Sequence, residues 1–331
     1  MAEKIILTGV KPTGQPHIGN YLGAIRPAVH LSRQPEAKTF LFIADYHSLT
    51  SVHDPKILKE MIYEVAACWL ACGLDPKSTC FYRQSAIPEV FEMQWILSCF
   101  TPKGLMNRAH AYKAKLQENQ EQGKEDLDFG VNMGLYNYPI LMSADILMFN
   151  AHEVPVGEDQ VQHLEIARDI AQKVNRQYGD ILRLPKFVVQ AMKLVPGLDG
   201  RKMSKSYDNH IPLFLESGKL RKLIMKIKTD SQPPEAPKDP ATSLIFDLYK
   251  EFATSEQIEA LRTEYLKGIG WGTAKEKLFE VIEAQLAEPR AEYQRWMNSR
   301  DEIDRLLAAG AAIARPKAQD LLGKLRQAIG I

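Results

Sequence analysis

The sequence predicts an α/β fold, a parallel sheet with helical crossovers followed by a helical C-terminal part. Three observations predict it. In the first two thirds of the chain, short apolar runs alternate with helical patterns, as in strand–helix–strand units with right-handed crossovers. Beyond about residue 210 long helical periods take over, and Leu278, Val281, Ile282 and Leu286 fall on one face. The 331 residues, 45% apolar and 25% charged, suit a soluble globular protein of two or three structural units with a sizeable core.

The elements follow in order. "KIILT" (4–8) reads as a buried strand and "GVKPTGQP" as a turn. A helical pattern runs from Gly19 to about Ser32, with an interruption expected at Pro27. "KTFLFIADYHSL" is a second strand that ends in polar residues, and a helix is predicted from Pro55 to Gly73. "STCFYRQS" is a third strand and "EVFEMQWILSCF" a helix. Residues 113–130 are charged enough to be an exposed helix or loop. "AHEVPVGEDQVQHLEIARDIAQKV" predicts strand, turn and helix, and "TDSQPPEAPKDPATS" (229–243) a Pro-rich loop. The tail is helical, with a break expected at Pro316. No repeat of 20–50 residues stands out.

Apolar runs stay short of the roughly 18 residues of a membrane span, and the N-terminus reads as mature sequence, without a secretory signal. The formal net charge is +1, so a nucleic-acid partner has to be held by local patches. "KLRKLIMKIK" (219–228), with five basic residues and no acidic one, is either such a patch or a solvated helix face. Cys68, Cys72, Cys80 and Cys99 lack the spacing of a zinc pair and read as small core residues of a reducing compartment, the cytoplasm. No metal site is expected from the protein's own side chains.

Two segments carry phosphate chemistry. "KPTGQPHIGN" (11–20) follows the first strand and opens a helix, where free N–H groups and the positive end of the helix dipole favour anions. Gly14 and Gly19 let backbone approach a ligand, and His17 has a hydrogen bond to offer a phosphate oxygen. The second segment, "RKMSKSYDN" (201–209), follows "VPGLDG". Alone it reads equally as a solvated loop or as a mobile phosphate clamp.

Together, "HIGN" and Lys202-Met203-Ser204-Lys205-Ser206 resemble the two signatures of the class I aminoacyl-tRNA synthetases, in the family's order. Asn20 in place of a second His is the variant of the tryptophan branch. "YPILMSADILMFN" and "VPVGEDQVQH" are similar to segments of bacterial tryptophanyl-tRNA synthetases. The resemblance implies a Rossmann-like catalytic domain over residues 1–208, with a dimer-interface segment at about 85–145. A helical tRNA anticodon-binding domain and C-terminal helices are implied over 209–331.

It also implies a reaction. L-tryptophan is activated by ATP, with Mg2+ bound to the nucleotide, and is then transferred to the 3′ end of tRNA(Trp) by a cytoplasmic homodimer. Lys202, Lys205 and His17 are the implied catalytic residues. The ATP site takes in Lys11, Pro12, Thr13, Gly19, Asn20, Gly157, Glu158, Asp159 and Ala191 together with Lys202, Met203, Ser204, Lys205 and Ser206. Tryptophan is placed against Asp145, Tyr138, Met142, Gln160, His47, Leu7, Val154 and Val156. Asp145 is the implied acceptor for the indole N–H, which gives discrimination against a ring lacking that donor. The chain departs from the family at Leu7, often Phe, at Lys11, often Gln, and near Ala111, usually Gln. Competing readings are a tyrosyl-tRNA synthetase, a small nucleotidyltransferase of the same fold, and a catalytically silent paralogue that binds tryptophan or RNA.

Overall fold

A computed structural model of the chain describes residues 4–34, 37–189 and 195–331. Five parallel strands, β1 (Lys4–Val10), β2 (Ala37–Ile43), β3 (Thr79–Arg83), β4 (Glu153–Val156) and β5 (Lys186–Val189), form one sheet in the order β3-β2-β1-β4-β5. This is a Rossmann-like order, with a topological switch between β1 and β4. The apolar run of β2 explains its place inside the sheet, between β3 and β1. Phe40 and Phe42 enter the core on one face and Leu41 and Ile43 the core on the other, so both faces are covered.

The switch point positions the site. β1 and β2 pair along all of Lys4–Val10, but β1 and β4 pair only at Ile6 and Glu153. Beyond that pair the strands diverge towards their carboxyl ends and leave a crevice.

Helices flank the sheet. Asp54 accepts from the Lys56 and Ile57 amides and so starts the helix Pro55–Ala71. The first crossover is not interrupted at Pro27. Ile18–Asn20 leads into a π-helical stretch, Tyr21–Ile25, and Pro27 sits in the first turn of Arg26–Ser32. The widened turn changes the hydrogen-bond register just where the proline nitrogen has no proton to give.

The C-terminal part is helical, and the helix Trp271–Met297 packs along Pro55–Ala71. The last helix, Arg300–Ile329, covers the outer strand β3, which otherwise would present an unpaired edge. At Gly310 a Cβ would fall 1.8 Å from the Phe81 carbonyl oxygen, so only glycine allows this approach. Pro316 does not break this helix. It lies on the exposed face, where water can satisfy the carbonyl it leaves free, while Ala314, Ala318, Leu321 and Leu325 are buried on the other side. No helix among the described residues is long and apolar enough to cross a membrane.

Candidate active site

The crevice holds a cavity of about 530 Å³, within the range of small-molecule sites. Leu7 and Lys11 reach it from β1 and the turn after it, and Val154, Val156 and Gly157 from β4 and its end. His47, Tyr138, Met142, Asp145 and Gln160 complete the wall, with Ala111 at one side. All eight residues expected around tryptophan therefore share one cavity. Leu7 is 1% exposed, so the departure from Phe at this position leaves a smaller apolar floor.

Asp145 is 2% exposed and sits on the helix Met133–Leu147. His47 Nε2 lies 2.9 Å from its Oδ2, and Gln84 Nε2 donates to Oδ1 at 2.9 Å and to Oδ2 at 2.8 Å. Burial pushes the carboxyl pKa up, and the His47 and Gln84 contacts pull it back. These donors keep both oxygens in place as acceptors while one face of the group stays on the cavity. Gln84 is itself 1% exposed, directly after β3, and the Ser85 amide bonds Asp45 Oδ1 at 3.1 Å to fix that turn. Tyr138 is held by a 2.6 Å contact between its hydroxyl and His163 Nε2.

The phosphate candidates meet beside the cavity. His17 caps the helix that follows it: the Asn20 amide donates to His17 Nδ1 at 3.3 Å, and the His17 amide donates to Asn20 Oδ1 at 3.0 Å. With Nδ1 accepting, the ring proton belongs on Nε2. Burial, and then the nearby His210 and Lys205, lower the His17 pKa to about 4, so the ring is a neutral donor at physiological pH. The Gly19 amide points at Met203 Sδ, 3.3 Å away, and Lys205 Nζ donates to the Thr13 carbonyl at 3.0 Å. The Ile18 amide bonds the Ile211 carbonyl at 2.9 Å, and the Leu213 amide the Pro16 carbonyl at 3.0 Å. Residues 13–20 and 203–213 thus form one unit although they are far apart in sequence.

The lowered His17 pKa makes a pH prediction. Between its usual 6.5 and about 4 the unfolded chain takes up a proton that the folded ring refuses. The stability this neutral ring contributes is present above 6.5 and is lost as the pH falls towards 4. Thermal melts of the parent and of His17→Asn at about pH 7 and about pH 5 check this; the drop on acidification is expected to be smaller in the variant.

With this geometry in view, the family described as "tRNA synthetases class I (W and Y)" matches residues 2–287. The chain belongs to this family. It is 53% identical over 332 residues to a tryptophan–tRNA ligase of Neisseria meningitidis, covering 100% of this chain and 99% of that one. It is 52% identical over 330 residues to one from Pseudomonas aeruginosa, covering 98% of this chain and 73% of that one. A crystal structure of tryptophanyl-tRNA synthetase from Campylobacter jejuni, complexed with ADP and tryptophan, matches with a TM-score of 0.89 at 42% identity, covering 99% of this chain and 100% of that one.

In this class I synthetase the remaining expected residues fall as follows. Pro12 is buried and its carbonyl accepts from Ser48 Oγ at 3.3 Å. Lys11 Nζ bonds Thr50 Oγ1 at 3.2 Å and Ser51 Oγ at 3.4 Å, and burial lowers its pKa. Glu158 is exposed on the turn Glu158–Gln160, which also carries Asp159. Ser204 and Ser206 bond each other through their hydroxyls at 2.8 Å. Lys202 is exposed and does not line the cavity. Ala191 lies outside the described residues.

Sequence reasoning missed Gln84 and Asn209. For Gln84 a signal was present: it ends "STCFYRQ" at the carboxyl end of a strand, where α/β sheets place their ligand residues. Asn209 carries no such mark.

Proposed function

We propose that the chain catalyses the ATP-dependent attachment of L-tryptophan to tRNA(Trp), with the work divided between the residues of the cavity and those of the phosphate unit beside it. The observation that carries the reading is the buried Asp145 acceptor in a largely apolar cavity at the strand ends, next to the unit built from residues 13–20 and 203–213. The tryptophan carboxylate attacks the α-phosphate of MgATP, giving tryptophanyl-adenylate and pyrophosphate. A ribose hydroxyl at the tRNA 3′ end then takes the tryptophanyl group and releases AMP.

Met142, Leu7, Val154 and Val156 enclose the indole, and Asp145 accepts its N–H. Tyr138 and Gln160 face the α-amino group, and His47 holds Asp145. Neutral His17 and the Gly19–Asn20 turn bind phosphate oxygens, Pro12 and Thr13 shape that turn, and Lys11 adds a cation nearby. Gly157, Glu158 and Asp159 hold ribose and adenine edges, and backbone near Ala191 and Met192 completes the adenine site. Lys202 and Lys205, set by Ser204 and Ser206, meet the charge that grows on pyrophosphate, where positioning and electrostatics supply most of the rate. Mg2+ enters with the nucleotide; among the described residues no cluster of three or more His, Cys, Asp or Glu is placed to hold a metal.

Residues 209–331 serve the tRNA. Lys222, Lys226 and Lys228 are exposed and, among the described residues, pair with no acidic side chain, whereas Arg221 bonds Glu276 at 2.7 Å. The three lysines give the salt-dependent part of RNA affinity. A homodimer forms through the segment near 85–145, where Trp95 is 72% and Met133 67% exposed. The enzyme works in the cytoplasm.

Pyrophosphate exchange with each amino acid in turn, followed by tRNA charging, tests the reading. Exchange driven by tryptophan alone is expected. Exchange driven by tyrosine, or a chain that binds tryptophan without exchange, would overturn it.

A further inference from the structure

We propose that Asn209 is a positioning residue for adenylate formation, the latch that holds Lys202 and Lys205 in the orientation from which they meet the phosphates. This rests on the activity proposed above and goes beyond it, because Asn209 lies outside the five-residue signature.

Around it, Lys202, Lys205, Ser206, Tyr207 and Asp208 are exposed, yet Asn209 is only 3% exposed. Its amide binds both limbs of the loop. Nδ2 donates to Asp199 Oδ1 at 2.7 Å, on the entering limb, and to the Lys202 carbonyl at 3.1 Å. Oδ1 accepts from the Ser204 amide at 2.8 Å, between the two lysines. Its own carbonyl accepts from the Leu198 amide at 2.8 Å. The amide orientation is fixed by chemistry, since the nitrogen faces only acceptors and the oxygen faces an N–H. The fit is tight: a Cβ on Gly197 would lie 2.4 Å from Asn209 Cγ, so glycine is required there.

The position of Asn209 gives the contacts their consequence. Two residues further on, the Ile211 carbonyl is bonded to the Ile18 amide at 2.9 Å. Asn209 therefore sits where the loop joins the fixed frame that carries His17. Asp208, at φ 50, turns the chain back so that the next side chain points into the loop. One side chain thus refers the Lys202 carbonyl and the Ser204 amide to the frame, and the lysine ammonium groups inherit that reference. Asp199 is the partner that completes it. The Asn209 amide, with Arg201 assisting, lowers the Asp199 carboxyl to about 2, so it stays an acceptor at any working pH.

Losing the latch leaves the loop and both lysines in place but poorly aimed, and misplacement by about 1 Å costs on the order of 100-fold in rate. Asn209→Ala is expected to lower kcat of tryptophan-dependent pyrophosphate exchange by about 100-fold, with KM for tryptophan within about twofold. Asn209→Asp keeps the size, loses the donors and sets a carboxylate against Asp199. It is expected to be as poor, and adding Asp199→Asn to it, which returns a donor, is expected to recover about tenfold.

Two readouts separate aim from mere structure. In a Lys205→Ala background the Asn209→Ala change is expected to cost no more than about tenfold, because one of the two groups it aims is gone. Independently of activity, amide hydrogen exchange at Leu198 and Ser204 is expected to quicken in Asn209→Ala while the thermal midpoint stays close to the parent's. An undiminished kcat, full additivity with Lys205→Ala, or unchanged amide exchange would each overturn the proposal. A parent chain without exchange overturns the assigned activity instead, and the amide-exchange arm still decides on the latch.

Discussion

Lys205→Ala is expected to slow adenylate formation by about 100- to 1,000-fold in single-turnover measurements while tryptophan binding stays within about twofold. Lys205 Nζ rests on the Thr13 carbonyl at 3.0 Å and lies outside the wall of the main cavity. It therefore has little to give tryptophan in the ground state. Its contribution comes when the bond to pyrophosphate breaks and negative charge builds on the leaving group. An interaction made in the transition state alone lowers the barrier without tightening the substrate. The resting contact also keeps the ammonium near residues 13–20, so a short movement carries it from a neutral carbonyl to a phosphate. An unchanged single-turnover rate would remove Lys205 from the chemistry, whatever its effect on nucleotide affinity.

Asp145→Ala has the largest expected effect on the amino acid. The tryptophan requirement should rise by about ten- to a thousand-fold, the scale of a lost charge-assisted hydrogen bond plus the donors it strands. Those donors are named by the geometry: His47 Nε2 at 2.9 Å and Gln84 Nε2 at 2.8 Å from Oδ2. The change also removes the partner that the buried Gln84 was folded against. A tryptophan analogue with sulfur in place of the indole N–H has no donor to lose, so its use should fall much less. Equal losses for both would mean that Asp145 shapes the cavity without reading the ring nitrogen.

The fold was legible because its strands are short apolar runs set between helical periods. Phe40, Leu41, Phe42 and Ile43 announce a strand buried on both faces, and they are one. The prolines mislead. Pro27 and Pro316 look like breaks when only local geometry is considered, but a π-helical turn accommodates the first, and solvent on one side with a buried alanine and leucine face on the other accommodates the second. Propensity is local, and these helices are held by tertiary packing.

The candidate site was legible where a signature or the resemblance marked it. His17, Lys202 and Lys205 are marked by the paired signatures, and Asp145 by the resemblance. What stayed hidden was support. Gln84 and Asn209 are polar residues of ordinary type whose meaning comes from what lies opposite them: a carboxylate 61 residues later for Gln84, and a carboxylate, a carbonyl and an amide within one loop for Asn209. A linear pattern cannot show a partner set by the fold.

We propose that the cavity between β1 and β4, with the lysine loop beside it, activates tryptophan for transfer to tRNA. Charging of tRNA(Trp) by the purified chain, with tryptophan and tyrosine offered in parallel and ATP present or withheld, tests it most directly. ATP-dependent charging with tryptophan and none with tyrosine is expected. Charging with tyrosine, or no charging while tryptophan still binds, would contradict it.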